Sequence, residues 1–238
     1  MEVSLLKHPE KSHRKKVTLP KYSSDLAEFF GIMLGDGGIN NDWQATITIN
    51  SVADKEYADY VVWLCMRLFG VTPALHKRKN KQALLIALAS TSVVDFLVAE
   101  GLPRGNKLAG KLEIPVWVLE KPKYKIACVR GLVDTDGCLY IHRHRVAGKT
   151  YKNIGFCFTN FSPYLIRQVA SIFGENGIQP FISNKGRSIY LYRASAIEKY
   201  LRVFGSSNER ITSVYKKLEA SDSGLFHRLG KAAYRKVS

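Results

Sequence analysis

The sequence predicts a mixed α+β fold built from two related halves, each reading α-β-β-α-β-β-α. Two observations carry that expectation. One stretch of the chain recurs further along it, and in both copies the apolar period switches from helical to strand-like at the same place. The 238 residues suffice for one large domain or two small ones with real cores. A third observation bears on function: 36 Lys and Arg against 20 Asp and Glu leave a net charge of +16. Such self-repulsion usually goes with an anionic partner. Nucleic acid leads, because every phosphate neutralised by Lys or Arg releases counterions. A membrane surface is disfavoured, since the sequence has no long basic amphipathic helix and no apolar run of transmembrane length.

Taken in order, residues 1–21 form a basic arm (Lys7, His8, Lys11, His13, Arg14, Lys15, Lys16) without the apolar core of a secretory signal. It reads as a solvated tail or, less simply, as a phosphate-contacting arm. The first half spans 22–120. Leu26 to Asn50 gives an apolar helix that passes through Gly, ends in Asp-Gly and is followed by two strand-like runs. Ser51 to Gly70 is an amphipathic helix, with Ser51 and Asp54 spaced like a capping box. Ala74–His76 and Ala83–Leu88 pair about a basic turn, and Val93–Ala99 closes the half. Lys121–Lys125, with Pro122, reads as a linker. The second half, 126–220, repeats the plan from Ala127 to Asn160 with a longer and more basic hairpin. Phe161 to Gly177 is its second helix, capped by Ser162 with Pro163 at the first helical position. Pro180–Ile182 pairs with Ser188–Tyr192, and Ala196–Phe204 follows. Residues 221–238 are a tail too short for an added helix-turn-helix domain.

Cys65, Cys128, Cys138 and Cys157 form no C-x-x-C pair. They read as reduced, buried thiols of an intracellular protein, in a prokaryotic cytoplasm or nucleoid or an organelle matrix.

The chemistry concentrates where the repeated helices end. Gly31 and Gly35 lie on one helical face, and Gly131 and Thr135 on the equivalent face. A mid-helix Gly costs roughly 1 kcal/mol against Ala, a cost that makes sense if the two helices must touch. Packed side by side in parallel, they bring Asp36 and Asp136 together at their C-terminal ends. There the helix dipole and mutual repulsion both disfavour carboxylates. Divalent cations relieve both problems, and Mg²⁺ favours carboxylate, phosphate and water oxygens. Gly37 and Gly137 are expected to supply left-handed helix endings and room for a phosphate.

The runs Phe29–Gly37 and Val129–Gly137 resemble the LAGLIDADG motif that names a family of homing endonucleases. The second copy keeps Gly131, Asp134, Asp136 and Gly137. The first keeps Gly31, Asp36 and Gly37 but has Leu34 at the first acidic position. The resemblance extends from about Tyr22 to about Ala220. It implies a single-chain version of a usually dimeric fold, with two pseudo-twofold-related four-stranded antiparallel sheets forming a DNA-binding saddle. It also implies two or three divalent ions, Mg²⁺ with Mn²⁺ or Ca²⁺ able to substitute, held by Asp36 and Asp136. Backbone carbonyls beside the acids, those of Gly35 and Thr135, complete the shells. Lys107 and Arg210 are candidates to position water or stabilise charge. Asn50 and Asn160 hold matching places at the ends of second strands and read first as caps or turn residues.

The hairpins carry the basic residues that would contact DNA: Lys77, Arg78, Lys79, Lys81, Arg143, Arg145, Lys149, Lys152, Lys185, Arg187 and Arg193. Strand alternation turns Leu139 and Ile141 inward and Tyr140, His142 and His144 toward the groove. His142 and His144 alone make no metal site, and neither a P-loop nor a Gly-x-Ser-x-Gly elbow is present. The expected activity is site-specific, metal-dependent double-strand DNA cleavage by a monomer. The alternatives are a maturase that binds the intron RNA encoding it and a non-catalytic DNA-binding protein of the same fold.

Overall fold

The structure, a computed structural model, describes residues 17–221 apart from Asn80, Leu108 and residues 147–148. Most of the expected basic arm and all of the tail beyond Ser221 lie outside the described residues.

The first half runs α1 (Ser24–Gly35), β1 (Gly37–Ile39), β2 (Gln44–Asn50), α2 (Lys55–Phe69), β3 (Ala74–Lys77), β4 (Ala83–Ala89) and α3 (Thr91–Ala99). A short α4 (Val116–Leu119) precedes the second half. That half runs α5 (Pro122–Asp136), β5 (Gly137–Val146), β6 (Lys149–Thr159), α6 (Pro163–Glu175), β7 (Phe181–Ile182), β8 (Ser188–Leu191), α7 (Ala194–Val203) and α8 (Glu209–Ser221). The two antiparallel sheets have the same strand order, β1-β2-β4-β3 and β5-β6-β8-β7. This is the α+β architecture of two equivalent halves.

Local chemistry explains most boundaries. Ser23 starts α1 by accepting from the Leu26 N–H at 3.2 Å, and Ser162 starts α6 by accepting from Leu165 at 3.3 Å. Gly70 ends α2 in the left-handed conformation at φ 65°. Three expectations need correction. First, α2 begins at Lys55 rather than Ser51. The Asn50 carboxamide oxygen accepts from the Val52 and Ala53 N–H groups and holds residues 51–54 in a turn. Second, residues 122–125 are no linker but the first turn of α5, where Pro122 needs no N–H partner. Third, Cys138 and Cys157 are only half buried, facing each other across β5 and β6, whereas Cys65 and Cys128 are fully buried.

A single apolar core runs through both halves and is continuous across α1 and α5. The two helices touch backbone to backbone. A Cβ at Gly31 would lie 2.1 Å from the Cys128 carbonyl oxygen, and one at Gly131 would lie 2.3 Å from that of Glu28. One at Gly35 would lie 2.0 Å from the Thr135 hydroxyl. Gly31 faces Cys128 and, one turn on, Gly35 faces Thr135, so the helices are parallel and both end at the same side of the molecule.

An Ala at Gly131 gains about 1 kcal/mol of helix propensity in isolation, but here it must displace backbone. Gly131→Ala is therefore expected to destabilise the protein by about 2 kcal/mol, as overpacked cores do. Urea unfolding checks the sign; a stabilised variant would contradict the close approach.

Candidate metal centre and nucleic-acid surface

The parallel seam puts Asp36, the C-cap of α1, and Asp136, the last residue of α5, on one cavity of about 520 Å³. Gly35, Lys107, Asn160, Phe161 and Arg187 share its lining. Asp36 is exposed to the cavity, yet the protein around it excludes much of its hydration. That desolvation, and next the charge of Asp136, push its pKa to about 7, against the opposing pull of Lys107 and Arg210. Burial also raises Asp136, opposed by Asn160 and Lys107. Lys107 is lowered by its own burial, which the two acids counteract.

Both candidate cations serve as helix caps. The Lys107 ammonium donates to the carbonyls of Met33 (3.3 Å), Leu34 (3.2 Å) and Gly35 (2.6 Å), the negative end of α1. Arg210 does the same for α5: it donates to the Asp134 carbonyl at 3.2 Å, to Gly137 at 3.0 Å, and to the Asp54 carboxylate at 2.8 Å. The carbonyl of Gly35, one expected metal ligand, thus already has a cationic partner. The Thr135 hydroxyl donates back to the Leu132 carbonyl at 2.9 Å.

Gly37 and Gly137 do not adopt left-handed endings; Gly137 is extended at φ −102°, ψ 162°. They are glycines for lack of space, because a Cβ would sit 2.5 Å from Met33 Cα and from the Val133 carbonyl, respectively. The two asparagines are not equivalent either. Gly37 faces Ile47 and Gly137 faces Phe158. By that register, Asn160 corresponds to Ile49 and Asn50 corresponds to Phe161. Asn160 caps through its oxygen, which accepts from Ser162 at 2.9 Å, and its amide also donates to Asp136 at 2.8 Å. Nothing in the sequence signalled this second bond.

The first acid of the second motif, Asp134, faces away from the cavity. It is 1 % exposed and accepts from Ser206 Oγ at 2.5 Å and the Ser207 N–H at 2.8 Å. Leu34, at the matching position, is buried in the core. Sequence reasoning also missed a polar network across the seam. Glu28 accepts from Arg130 at 2.6 Å, Tyr60 at 2.9 Å and Ser207 at 2.7 Å. Asn208 links Asp54 of the first half to the Asp134 carbonyl of the second.

Of the basic residues, Lys107 and Arg187 line this cavity, and the others expected to contact DNA are placed on or beside the two sheets and their hairpins. Lys77, Arg78, Lys79, Lys81, Arg143, Arg145, Lys185, Arg187 and Arg193 are exposed, along with His142. Leu139 is buried and Ile141 packs on the core, while Tyr140 lies flat over Gly155 on the opposite face. The side chains of His144, Lys149 and Lys152 lie outside the described residues. Among the described residues no three His, Cys, Asp or Glu cluster as a metal site, and no helix is long and apolar enough to cross a membrane. Two carboxylates are hard-oxygen donors that fit a divalent cation as part of a shell that water and phosphate oxygens would complete.

The raised pKa of Asp36 has a consequence for folding. Unfolded, the carboxyl titrates near 3.8; folded, near 7. The folded state therefore holds the proton more tightly, and the stabilisation present below 3.8 is lost as pH rises through 7. Asp36→Asn keeps the uncharged form, so at pH 8 the cation-free variant should be more stable than its parent by about 1 kcal/mol after solvent screening. Thermal unfolding from pH 4 to 8 should show that gap closing at acid pH; a gap independent of pH would contradict the assignment.

No protein-family model matches the chain, and no curated protein matches it in sequence. Solved structures do match. The LAGLIDADG homing endonuclease I-LtrWI, bound to target DNA, aligns over 87% of this chain and 93% of its own, with a TM-score of 0.58 at 10% identity. The homing endonuclease I-DmoI, in mesophilic variants, aligns over 77% and 96%, with a TM-score of 0.51 at 15% identity. I-SmaMI, as a double mutant, aligns over 79% and 86%, with a TM-score of 0.52 at 12% identity. Complexes of I-DmoI with DNA and Ca and with DNA and Mn align as well. At such identities the likeness is one of architecture, and the chain has the fold of the single-chain LAGLIDADG homing endonucleases.

Proposed function

We propose that this protein is a site-specific, divalent-metal-dependent endonuclease that hydrolyses one phosphodiester on each strand of duplex DNA. The observation that carries the reading is the meeting of Asp36 and Asp136 at the like-charged ends of two parallel helices, on one cavity that Lys107 and the exposed Arg187 also line. Carboxylates so placed cost stability unless cations join them. The complexes of I-DmoI with DNA and Ca or Mn support divalent-metal use.

In this reading Asp36 and Asp136 hold the ions, Mg²⁺ being the expected one, and each half serves one strand. Held there, a divalent cation would supply Lewis-acid polarisation of a phosphate and a lowered pKa for a bound water. The amide of Asn160 fixes the Asp136 carboxylate in one rotamer. Lys107, held at the end of α1 within reach of both acids, offsets negative charge as it develops. The exposed hairpin cations hold the DNA backbone, and the solvent-facing strand residues read base edges. In this reading the chain acts as a monomer, since its two halves supply both acids of the one cavity.

Incubation with a randomised duplex library and Mg²⁺ or Mn²⁺ should yield a discrete set of cut sequences. Asp36→Asn with Asp136→Asn should abolish cutting and leave binding within a few-fold; a doubly substituted protein that still cuts would overturn the reading. A parent protein that binds DNA tightly and never cuts with any divalent ion would instead indicate a binding protein.

Binding by the parent should also weaken steeply with salt. With several phosphate contacts, log Kd against log salt should have a slope of about 0.9 per contact. Fluorescence anisotropy between 50 and 300 mM KCl checks this; a flat profile would exclude a phosphate-dominated interface.

A further inference from the structure

Phe161 has no role in the reading above. It is 67% exposed on the rim of the cavity that holds Asp36 and Asp136. Single exposed apolar side chains are ordinary on protein surfaces, but this one is held in place from three sides. Asn160 bridges its backbone by accepting from Ser162, and the Asn160 N–H donates to the Arg187 carbonyl at 3.0 Å. The Ser162 hydroxyl is tied to the Leu112 carbonyl at 2.7 Å. The Arg187 guanidinium lies over the Phe161 ring, 5.8 Å from its centroid. The loop therefore presents a phenyl ring with a cation at its back, beside the carboxylates, at little ordering cost on binding.

The first half presents a smaller version. Its loop after β2 is bridged by the Asn50 oxygen, and Val52 at the apex is 66% exposed. Asp54, closing that loop, accepts from Arg210, which also holds the Gly137 carbonyl at the end of α5. The loop after β2 thus also exposes one apolar side chain, an isopropyl, but Val52 is not among the residues that line the cavity.

Resting on the nuclease reading, we propose that Phe161 is a DNA-contacting wedge that stacks against a base beside the cleavage centre, with Arg187 on the neighbouring phosphate. The ligand that fits is a duplex. Lys107 and Arg187 on the same cavity, in a chain of net charge +16, attract its backbone, and an aromatic face beside them gains by stacking on a nucleobase, as apolar wedges do when they partly unstack a base step. Val52, too small to stack and absent from the cavity lining, does not share this role, so the distortion is one-sided.

The test uses duplexes selected by binding to the intact protein in Ca²⁺, with 2-aminopurine placed in turn at each central position. The parent protein should raise the fluorescence at one step, off the centre of the site. Phe161→Ala should abolish the rise and weaken binding about ten-fold or more. Phe161→Tyr should keep both, and Val52→Ala should change the signal little. Binding by Phe161→Ala with the parental affinity and signal would overturn the wedge and leave the nuclease reading standing. Failure of the parent to bind any duplex would overturn both. Circular dichroism of each variant separates misfolding from loss of contact, and a folded Phe161→Trp that restores the signal would confirm stacking as the cause.

Discussion

The structure depends on two helices approaching until their backbones touch. Gly31 and Gly131 each oppose a carbonyl of the other helix, at distances no side chain could tolerate. That contact fixes the parallel direction of α1 and α5, joins the two apolar cores into one, and sends both helix ends to the same cavity. The glycines forgo helix propensity, and the close contact recovers dispersion energy along the seam. The first hairpin of each half is placed once the seam is set, because β1 and β5 start at the ends of α1 and α5.

The seam creates an electrostatic problem that the rest of the site manages. Two helix dipoles and two carboxylates converge. The protein answers with Lys107 on the end of α1, Arg210 on the end of α5 and Asn160 on Asp136. The answer is incomplete, since Asp36 still has its pKa pushed to about 7. A site left in that condition is matched to further positive charge. The polar network below it, from Glu28 through Ser207 and Asn208 to Asp54, ties the start of α8 to both halves and holds the caps in place.

Much of this was legible in the residues. The recurrence of Gly-x-x-x-Gly-Asp-Gly and Gly-x-x-x-Thr-Asp-Gly located the seam and the acids, because helical spacing puts the small residues on one face. Alternation along Leu139–His142 placed Leu139 in the core. What sequence could not reveal depends on register and on contacts between distant segments. Asn50 and Asn160 look equivalent along the chain, but pairing with the opposite strand sets them one residue apart and on opposite faces. The glycines after the acids look like left-handed caps, but the preceding turn leaves no room for a Cβ. The capping roles of Lys107 and Arg210 depend on residues more than seventy positions away.

The most direct measurement is anomalous diffraction from crystals of the protein with bound duplex DNA and Mn²⁺. The account predicts Mn²⁺ peaks within coordination distance of the Asp36 and Asp136 carboxylates and of a phosphate on each strand. Manganese elsewhere, or DNA bound on a face remote from these two acids, would contradict it.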